Sequence, residues 1–179
     1  MSPPDCRPAG QWIPPKRIRP IAIGLCVEDG HVLLMEVRDA QVKLVGHRPP
    51  GGGIEFMESA EAAVIREFDE ELGWQLAAPR LLATCENRFD HNGQPGHEIV
   101  FIFAAARPRD APHPTTAGRI DIVDGGLDVA ICWMPVERAL AGTLFPPALA
   151  GLLAKRAAGG EQAVAPIPIR PSEPPARTS

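Results

Sequence analysis

Residues 49–74 constrain the fold more strongly than any other part of the sequence. They begin with two prolines and three glycines. Prolines cannot donate to a β-ladder and glycines adopt backbone angles closed to other residues, so we predict a structured loop at 49–53. Ser59 then offers a good N-cap, and apolar side chains recur every four positions from residue 64 to residue 72. This pattern predicts a helix over 60–72.

Segments of strand-type residues lie on both sides of this helix. We predict strands at 21–27, 31–37 and 43–47 before it, and at 80–89, 98–105 and 129–134 after it. The remaining helical segments are 136–141 and 146–157. An order of strands, helix, strands and helix predicts an α+β fold with a mixed sheet, not a doubly wound one.

Prolines mark both ends of the chain. Of the 21 prolines in 179 residues, 11 lie within 1–20 and 166–179, where no apolar periodicity would anchor the backbone. We therefore expect a single domain at 18–157, between a Pro-rich N-terminal segment, 1–17, and a Pro-rich, flexible C-terminal tail, 158–179.

Composition narrows the class of protein. With 18 basic and 22 acidic residues the formal net charge is −4, so the chain offers no basic patch for nucleic acid and no polybasic segment for a membrane surface. No run approaches the ~18 consecutive apolar residues that span a bilayer. The four cysteines form no CxxC pair, so we interpret Cys26, Cys85 and Cys132 as small core residues. We expect a cytoplasmic protein whose partners include neither nucleic acid nor a membrane.

Three carboxylates, Glu67, Glu70 and Glu71, share one face of the predicted helix. Like charges three or four residues apart repel, and carboxylates near a helix C-terminus oppose the macrodipole, so this cluster is unfavourable by itself. A Mg²⁺ ion, which binds a few carboxylates together with substrate phosphates, would compensate the charge. The alternative is an ordinary solvated acidic face.

The residues around the carboxylates favour the metal site. Gly73 can close the last helical turn in a left-handed conformation, with Trp74 packing back on the helix. Upstream, the glycines at 51–53 let the backbone approach a phosphate or a cation closely, and Arg48 and Glu58 flank them. Together these features predict a site that binds phosphate and a metal ion.

Residues 52–74, which we call the box, resemble the signature of the Nudix (MutT-like) hydrolases, in which glycine and acidic positions recur at fixed spacing. Every polar and glycine position of the signature is matched: Gly52, Glu58, Arg66, Glu67, Glu70, Glu71 and Gly73. Phe68 and Trp74 fill its two apolar positions, where aliphatic residues are more usual. The resemblance covers most of 20–157 and implies the Nudix fold, a mixed β-sheet sandwiched between helices.

The resemblance also implies an activity, the Mg²⁺- or Mn²⁺-dependent hydrolysis of the pyrophosphate bond in a nucleoside diphosphate linked to another moiety. The metal ligands that it implies are Glu67, Glu71 and Glu70, with the Gly51 carbonyl as a further ligand. Glu58 and Gly73 are then structural. Arg66 serves the catalytic group by bracing the loop–helix–loop together with Glu58.

Several acidic residues are candidates for the general base. Our working hypothesis places it on the helix, at Glu70 or Glu67. The candidates outside residues 52–74 are Glu98, Asp121, Asp124 and Asp128. Asp124 leads this second group because relatives often carry an acidic residue before the corresponding strand.

The substrate remains open among a nucleoside triphosphate, an ADP-ribose-like compound and a nucleotide sugar. Substrate contacts are predicted at Arg48, Gly52 and Gly53, with Arg88 ranked lower and His97 interpreted as a turn residue. Trp12, Phe89 or Phe145 could stack on a base, although packing is the commoner role of such side chains. Homodimers are frequent in the family. The alternative functions are a catalytically silent nucleotide-binding module and a structural protein that docks through 166–179.

Overall fold

Strands dominate the part of the chain that this computed structural model describes, which is residues 13–39, 41–124 and 127–159. The strands are β1 (Ile18–Glu28), β2 (His31–Arg38), β3 (Leu44–Arg48), β4 (Gly51–Gly53), β5 (Arg80–His91), β6 (Gln94–Ala105), β7 (Ile120–Asp124) and β8 (Leu127–Pro135). The helices are α1 (Ala60–Leu72), α2 (Val136–Ala141) and α3 (Leu149–Ala157).

The strands form one mixed sheet in the order β5-β6-β1-β2-β8-β7. Strand β1 runs parallel to β6 and antiparallel to β2 and β4. It pairs with β2 only next to the hairpin turn, at Val27 with Val32 and Glu28 with His31. Strand β4 pairs with the earlier part of β1, and β3 with the later part of β2. The sheet therefore has two halves, β4-β1-β6-β5 and β3-β2-β8-β7, which are joined at that hairpin.

Each face of the sheet carries its own hydrophobic core, because successive side chains of a strand point to opposite faces. In β1, Ile21, Ile23 and Leu25 belong to the core that also contains buried residues of α2 and α3. Ala22 and Cys26 belong to the other core, with residues of α1. Helices thus cover both faces, and the predicted α+β fold with a sheet between helices is confirmed.

Helix α1 begins and ends where the sequence predicts. The Ser59 hydroxyl accepts a hydrogen bond of 3.1 Å from the Ala62 N–H, which caps the N-terminus. Gly73 adopts a left-handed conformation, φ 66°, and its N–H donates to the Asp69 carbonyl at 2.8 Å. The Trp74 ring packs against the Phe68 ring, with ring centroids 6.2 Å apart.

Five elements differ most from the sequence prediction. Residues 51–53 form a strand, not a loop, because glycines without side chains can lie against the edge of β1. Strand β7 is absent from the prediction, since its five residues give too short an alternation. The β5–β6 hairpin turns tightly at Asn92-Gly93, so both strands are longer than predicted. Helix α3 starts at Leu149, after Pro146 and Pro147 have formed a turn.

Some sequence predictions fall on residues outside the description. Trp12, most of the predicted N-terminal segment 1–17, and residues 160–179 of the predicted tail are among them. The thiols of Cys26 and Cys85 are free and buried, and that of Cys132 is free and partly buried. Among the helices of the described ranges, none is long and apolar enough to cross a membrane.

Candidate active site

Helix α1 directs two of the three predicted glutamates toward the edge of the sheet. Its buried side is marked by Val64 and Phe68. At 100° per residue, Glu71 and Glu67 lie about 20° and 60° from Val64, while Glu70 lies about 120° away. The side chain of Glu67 is accordingly only 16% exposed and that of Glu70 is 59% exposed. Glu70 therefore does not join the other two carboxylates at the sheet.

The three glycines of β4 let these carboxylates approach the backbone. A Cβ atom on Gly52 would meet the Glu67 carboxylate, which packs over that position. The Gly51 N–H donates to Glu71 Oε2 at 3.2 Å. Gly51 has φ 129°, and a Cβ there would collide with the Ala22 carbonyl of β1. Strand β4 therefore requires glycine at 51 for its backbone and at 52 for the carboxylate.

Arg66 connects helix α1 to the loop that precedes it. Its guanidinium donates to both carboxylate oxygens of Glu58, at 2.9 and 3.1 Å, and to the Gly53 carbonyl at 2.9 Å. It also donates to Glu67 at 3.0 Å and to Glu70 at 3.1 Å. The Glu58 carboxylate accepts a further bond of 2.9 Å from the Glu55 N–H, so it joins the loop to Arg66.

Glu67 and Glu58 have pKa values that are shifted in opposite directions. Burial raises the pKa of Glu67 above its ordinary value, and the neighbouring Glu70 charge adds to this, although the bond from Arg66 opposes both effects. The hydrogen bonds from Arg66 hold the pKa of Glu58 below its ordinary value. Of these two carboxylates, Glu67 is the one whose charge the protein stabilises less well, as expected of a group that awaits a cation or a proton.

Glu67 and Glu71 line a cavity of about 440 Å³ together with the three glycines of β4. Arg48 lies at the same end and donates to the Gly51 carbonyl at 2.9 Å. One face of the half-sheet β4-β1-β6-β5 and residues of β2 and β3 form the rest of the cavity, with lining side chains that include Arg19, Ile21, Val37, Val45, Asn87, Phe89 and Glu98.

Phe145, from the segment between α2 and α3, completes the wall of this cavity. That segment lies against β3, where the His47 N–H donates to the Thr143 carbonyl and the Phe145 N–H donates to the His47 carbonyl, both at 2.9 Å. Phe89 and Phe145 both line the cavity. Stacking of either ring on a base stays a prediction.

The residues at the β4 end fit a magnesium-type ion. Within the described ranges no three His, Cys, Asp or Glu side chains form a complete metal cluster. Mg²⁺ does not require one, since it is usually held by one or two carboxylates, waters and substrate phosphates. Glu67 and Glu71 supply two carboxylates at the cavity, and the Gly51 carbonyl retains a second lone pair beside the one that Arg48 occupies.

The remaining predicted residues lie elsewhere. Strand β7, which ends at Asp124, pairs only with β8 at the far edge of the sheet, and the side chain of Asp124 is outside the description. Asp121 pairs with Arg119 at 2.6 Å. His97 Nε2 lies 2.8 Å from Glu86 Oε1, and neither it nor Arg88 lines the cavity. Of the acidic base candidates outside α1 with described side chains, Glu98 alone reaches the cavity.

Arg19 and Asn87 are cavity residues that the sequence analysis missed, and Glu98 had been considered only as a base. The Glu98 carboxylate accepts bonds of 3.4 Å from Arg19 and 3.3 Å from Asn87. Glu98 as a whole residue is 8% exposed. In the sequence each of Arg19 and Glu98 is only a charged residue beside an apolar run, and the pairing of β1 with β6 brings the two together.

Comparison with known proteins gives an independent view of this site. The model of the NUDIX domain family matches residues 15–154. No curated protein matches the sequence. The fold is similar to a MutT NUDIX hydrolase from Burkholderia pseudomallei, with 25% identity, a TM-score of 0.52, and coverage of 68% of this chain and 86% of the other.

Two further solved structures share the fold at lower identity. A NUDIX hydrolase from Nitrosomonas europaea has 18% identity and a TM-score of 0.55, with 80% of this chain and 91% of that chain covered. A MutT protein from Bacillus halodurans has 18% identity and a TM-score of 0.53, with 78% and 82% covered. The family match covers more than three quarters of the chain and includes α1, β4 and both cavity glutamates. The chain belongs to the NUDIX domain family.

Proposed function

We propose that this protein hydrolyses the pyrophosphate bond of a nucleoside diphosphate linked to another moiety, with Mg²⁺ or Mn²⁺ as cofactor. The observation that carries the proposal is the separation of the box carboxylates. Arg66 donates to Glu58, Glu67 and Glu70. Of the box carboxylates, however, Glu67 and Glu71 alone line the cavity, beside the glycine strand and Arg48. A volume of about 440 Å³ lies in the range of small-molecule sites.

Glu71, Glu67 and the Gly51 carbonyl are the groups proposed to hold the ion. When bound, a divalent cation neutralises phosphate charge and lowers the pKa of a bound water. The backbone of 51–53 and the Arg48 guanidinium would bind the diphosphate at the same end of the cavity. Arg66 is a positioning residue in this proposal, since its five bonds hold Glu67 and the loop in place.

Glu67 is the proposed general base, which accepts the proton of the attacking water. Its pKa is raised by burial, which brings a carboxylate closer to the range useful for a general base. Glu70, which the sequence hypothesis also considered, is exposed and paired with Arg66, so we assign it a supporting role. Three points remain predictions from the sequence: Asp124 as a candidate general base, the cytoplasmic location and the homodimer.

The test is a coupled phosphate-release assay, in which added pyrophosphatase or phosphatase converts the products to inorganic phosphate. It is run with Mg²⁺ or Mn²⁺ over nucleoside triphosphates, ADP-ribose, dinucleoside polyphosphates and nucleotide sugars. We expect turnover of one class and a loss of at least about a hundredfold in kcat for Glu71→Gln and Glu67→Gln. Glu61→Gln is the matched control, because Glu61 lies exposed in the first turn of the same helix. Glu70→Gln should lose less than the two cavity variants.

Metal titration separates the roles of Glu67. If Glu67 is chiefly the base, Glu67→Gln lowers kcat and keeps the affinity for Mn²⁺, whereas loss of affinity makes it chiefly a ligand. Unchanged kcat in both Glu67→Gln and Glu71→Gln would contradict the proposed site. Nucleotide binding without turnover over the whole panel would instead favour a catalytically silent binding module.

A further inference from the structure

Arg19, Glu98 and Asn87 form a polar group at the end of the cavity opposite the glycine strand. The register of the half-sheet places them there, since Arg19 pairs with Glu98 and Glu98 pairs with Asn87. Gly53 is aligned with Ile21, which is aligned with Val100. Glu98 is therefore two strands away from Gly53 and two residues farther along, about 12 Å between Cα atoms.

Because of this distance, the polar group and the box carboxylates contact different parts of one ligand. At about 12 Å from Gly53, Glu98 is too far from the β4 end to share one phosphate with Glu67 and Glu71. A nucleotide whose phosphates bind at β4 would, however, extend toward Glu98. Phe89 lies two residues from Asn87 on the same face of β5 and offers an aromatic surface at this end. The end of the cavity at Glu98 is therefore the place for the base.

Glu98 has the chemistry to select among bases. A carboxylate is an acceptor with about four lone-pair sites, and the bonds from Arg19 and Asn87, at 3.4 and 3.3 Å, occupy two of them. Glu98 lines the cavity, and its side chain is 11% exposed. A buried carboxylate facing a ligand discriminates strongly, because an acceptor placed opposite it leaves both groups unpaired.

We propose that Glu98, held by Arg19 and Asn87, selects a base that presents two adjacent N–H donors, which is the Watson–Crick edge of guanine. This inference rests on the proposed function for the position of the phosphates. Guanine offers N1–H and an N2 amine side by side, and a carboxylate accepts both. Adenine and uracil each place an acceptor opposite one carboxylate oxygen. Hypoxanthine keeps N1–H and lacks the amine.

The test measures binding, so that it does not depend on hydrolysis. Dissociation constants of GMP, IMP and AMP are determined by calorimetry with Mg²⁺ for the native chain, Glu98→Gln and Glu86→Gln. Glu86 is the matched control, since it lies next to Asn87 on β5, pairs with His97 and does not line the cavity. We expect GMP to bind about tenfold or more tightly than AMP, with IMP between them.

Glu98→Gln should reduce the preference for GMP over AMP about tenfold, because its amide donor faces guanine donors, and Glu86→Gln should retain the preference. Equal or tighter binding of AMP by the native chain would overturn the proposal. So would binding of none of the three nucleotides, or an unchanged preference in a folded Glu98→Gln. The native series decides the question even if that variant does not fold. GMP binding without any phosphate release would overturn the hydrolase and leave the base preference intact.

Discussion

Glu67 combines a functional position with a cost in stability. Its carboxylate is partly removed from water beside Gly52, and burial raises its pKa although Arg66 donates to it. A group whose pKa is higher in the folded state binds protons more readily there than in the unfolded chain. Its contribution to the free energy of unfolding therefore falls as pH rises from 4.5 through the raised pKa. At neutral pH the ionised side chain destabilises the metal-free protein.

We predict that Glu67→Gln melts at a higher temperature than the native chain in EDTA at pH 7.5, by about 2 °C. Glutamine keeps an acceptor for Arg66 and carries no charge to desolvate. Differential scanning calorimetry between pH 4 and pH 8 checks this, and the difference should vanish near the lower limit. Added Mg²⁺ should raise the melting temperature of the native chain, and a smaller rise in the variant would identify Glu67 as a ligand. A lower melting temperature of Glu67→Gln in EDTA would contradict the argument.

At the scale of elements, strand β4 shows how one short segment supports both fold and site. Gly51 lies against the Ala22 carbonyl with φ 129°, Gly52 lies under the Glu67 carboxylate, and a Cβ on Gly53 would meet nothing within 4 Å. Gly51 and Gly52 thus have different reasons for lacking a side chain, and neighbouring atoms give Gly53 none.

Alanine substitutions at the three glycines should distinguish the backbone constraint at Gly51 from the carboxylate contact at Gly52 and the open space at Gly53. Gly51→Ala places a methyl group against backbone and strains φ, so we expect a loss of about 2 kcal/mol or more in the free energy of unfolding. Gly52→Ala displaces a flexible carboxylate, so metal affinity and kcat/KM fall while the melting temperature changes little. Gly53→Ala serves as the control for stability. Urea denaturation and Mn²⁺ titration measure the two effects, and equal destabilisation by all three variants would argue against this division.

Local sequence signals predicted helix α1 almost residue by residue, because Ser59 and Gly73 fix its ends through bonds within the helix. The same signals could not place β4, since its strand character comes from pairing with β1, 28 or more residues earlier. They also grouped Glu70 with Glu67 and Glu71. The helical spacing leaves that choice open, and only the direction of the sheet shows that Glu70 faces Arg66 and solvent. Glu98 required knowledge of which strand lies beside β1.

At the scale of the whole molecule, the two cores consist of residues between Ile21 and Leu153. All described parts of the cavity lie between Arg19 and Phe145. The predicted domain of 18–157 therefore includes every residue to which we assign a described role.

We predict that a chain trimmed to residues 13–159 keeps its melting temperature within about 2 °C and its turnover within about twofold of the full chain. Calorimetry and the phosphate-release assay on both chains provide the comparison. Loss of turnover with an unchanged melting temperature would show that the Pro-rich ends take part in function.

The position of Phe145 has a consequence for protein synthesis. Glu67 and Glu71 precede Phe145 by 78 and 74 residues, and the glycines of β4 precede it by 92 to 94. They leave the ribosome before Phe145, whose segment closes the cavity wall through its bonds to His47. Domains acquire their tertiary contacts only once the contributing segments have been made. A nascent chain that already carries every acidic group of the box consequently lacks one wall of this cavity. The proposed function therefore requires a chain that extends past Phe145.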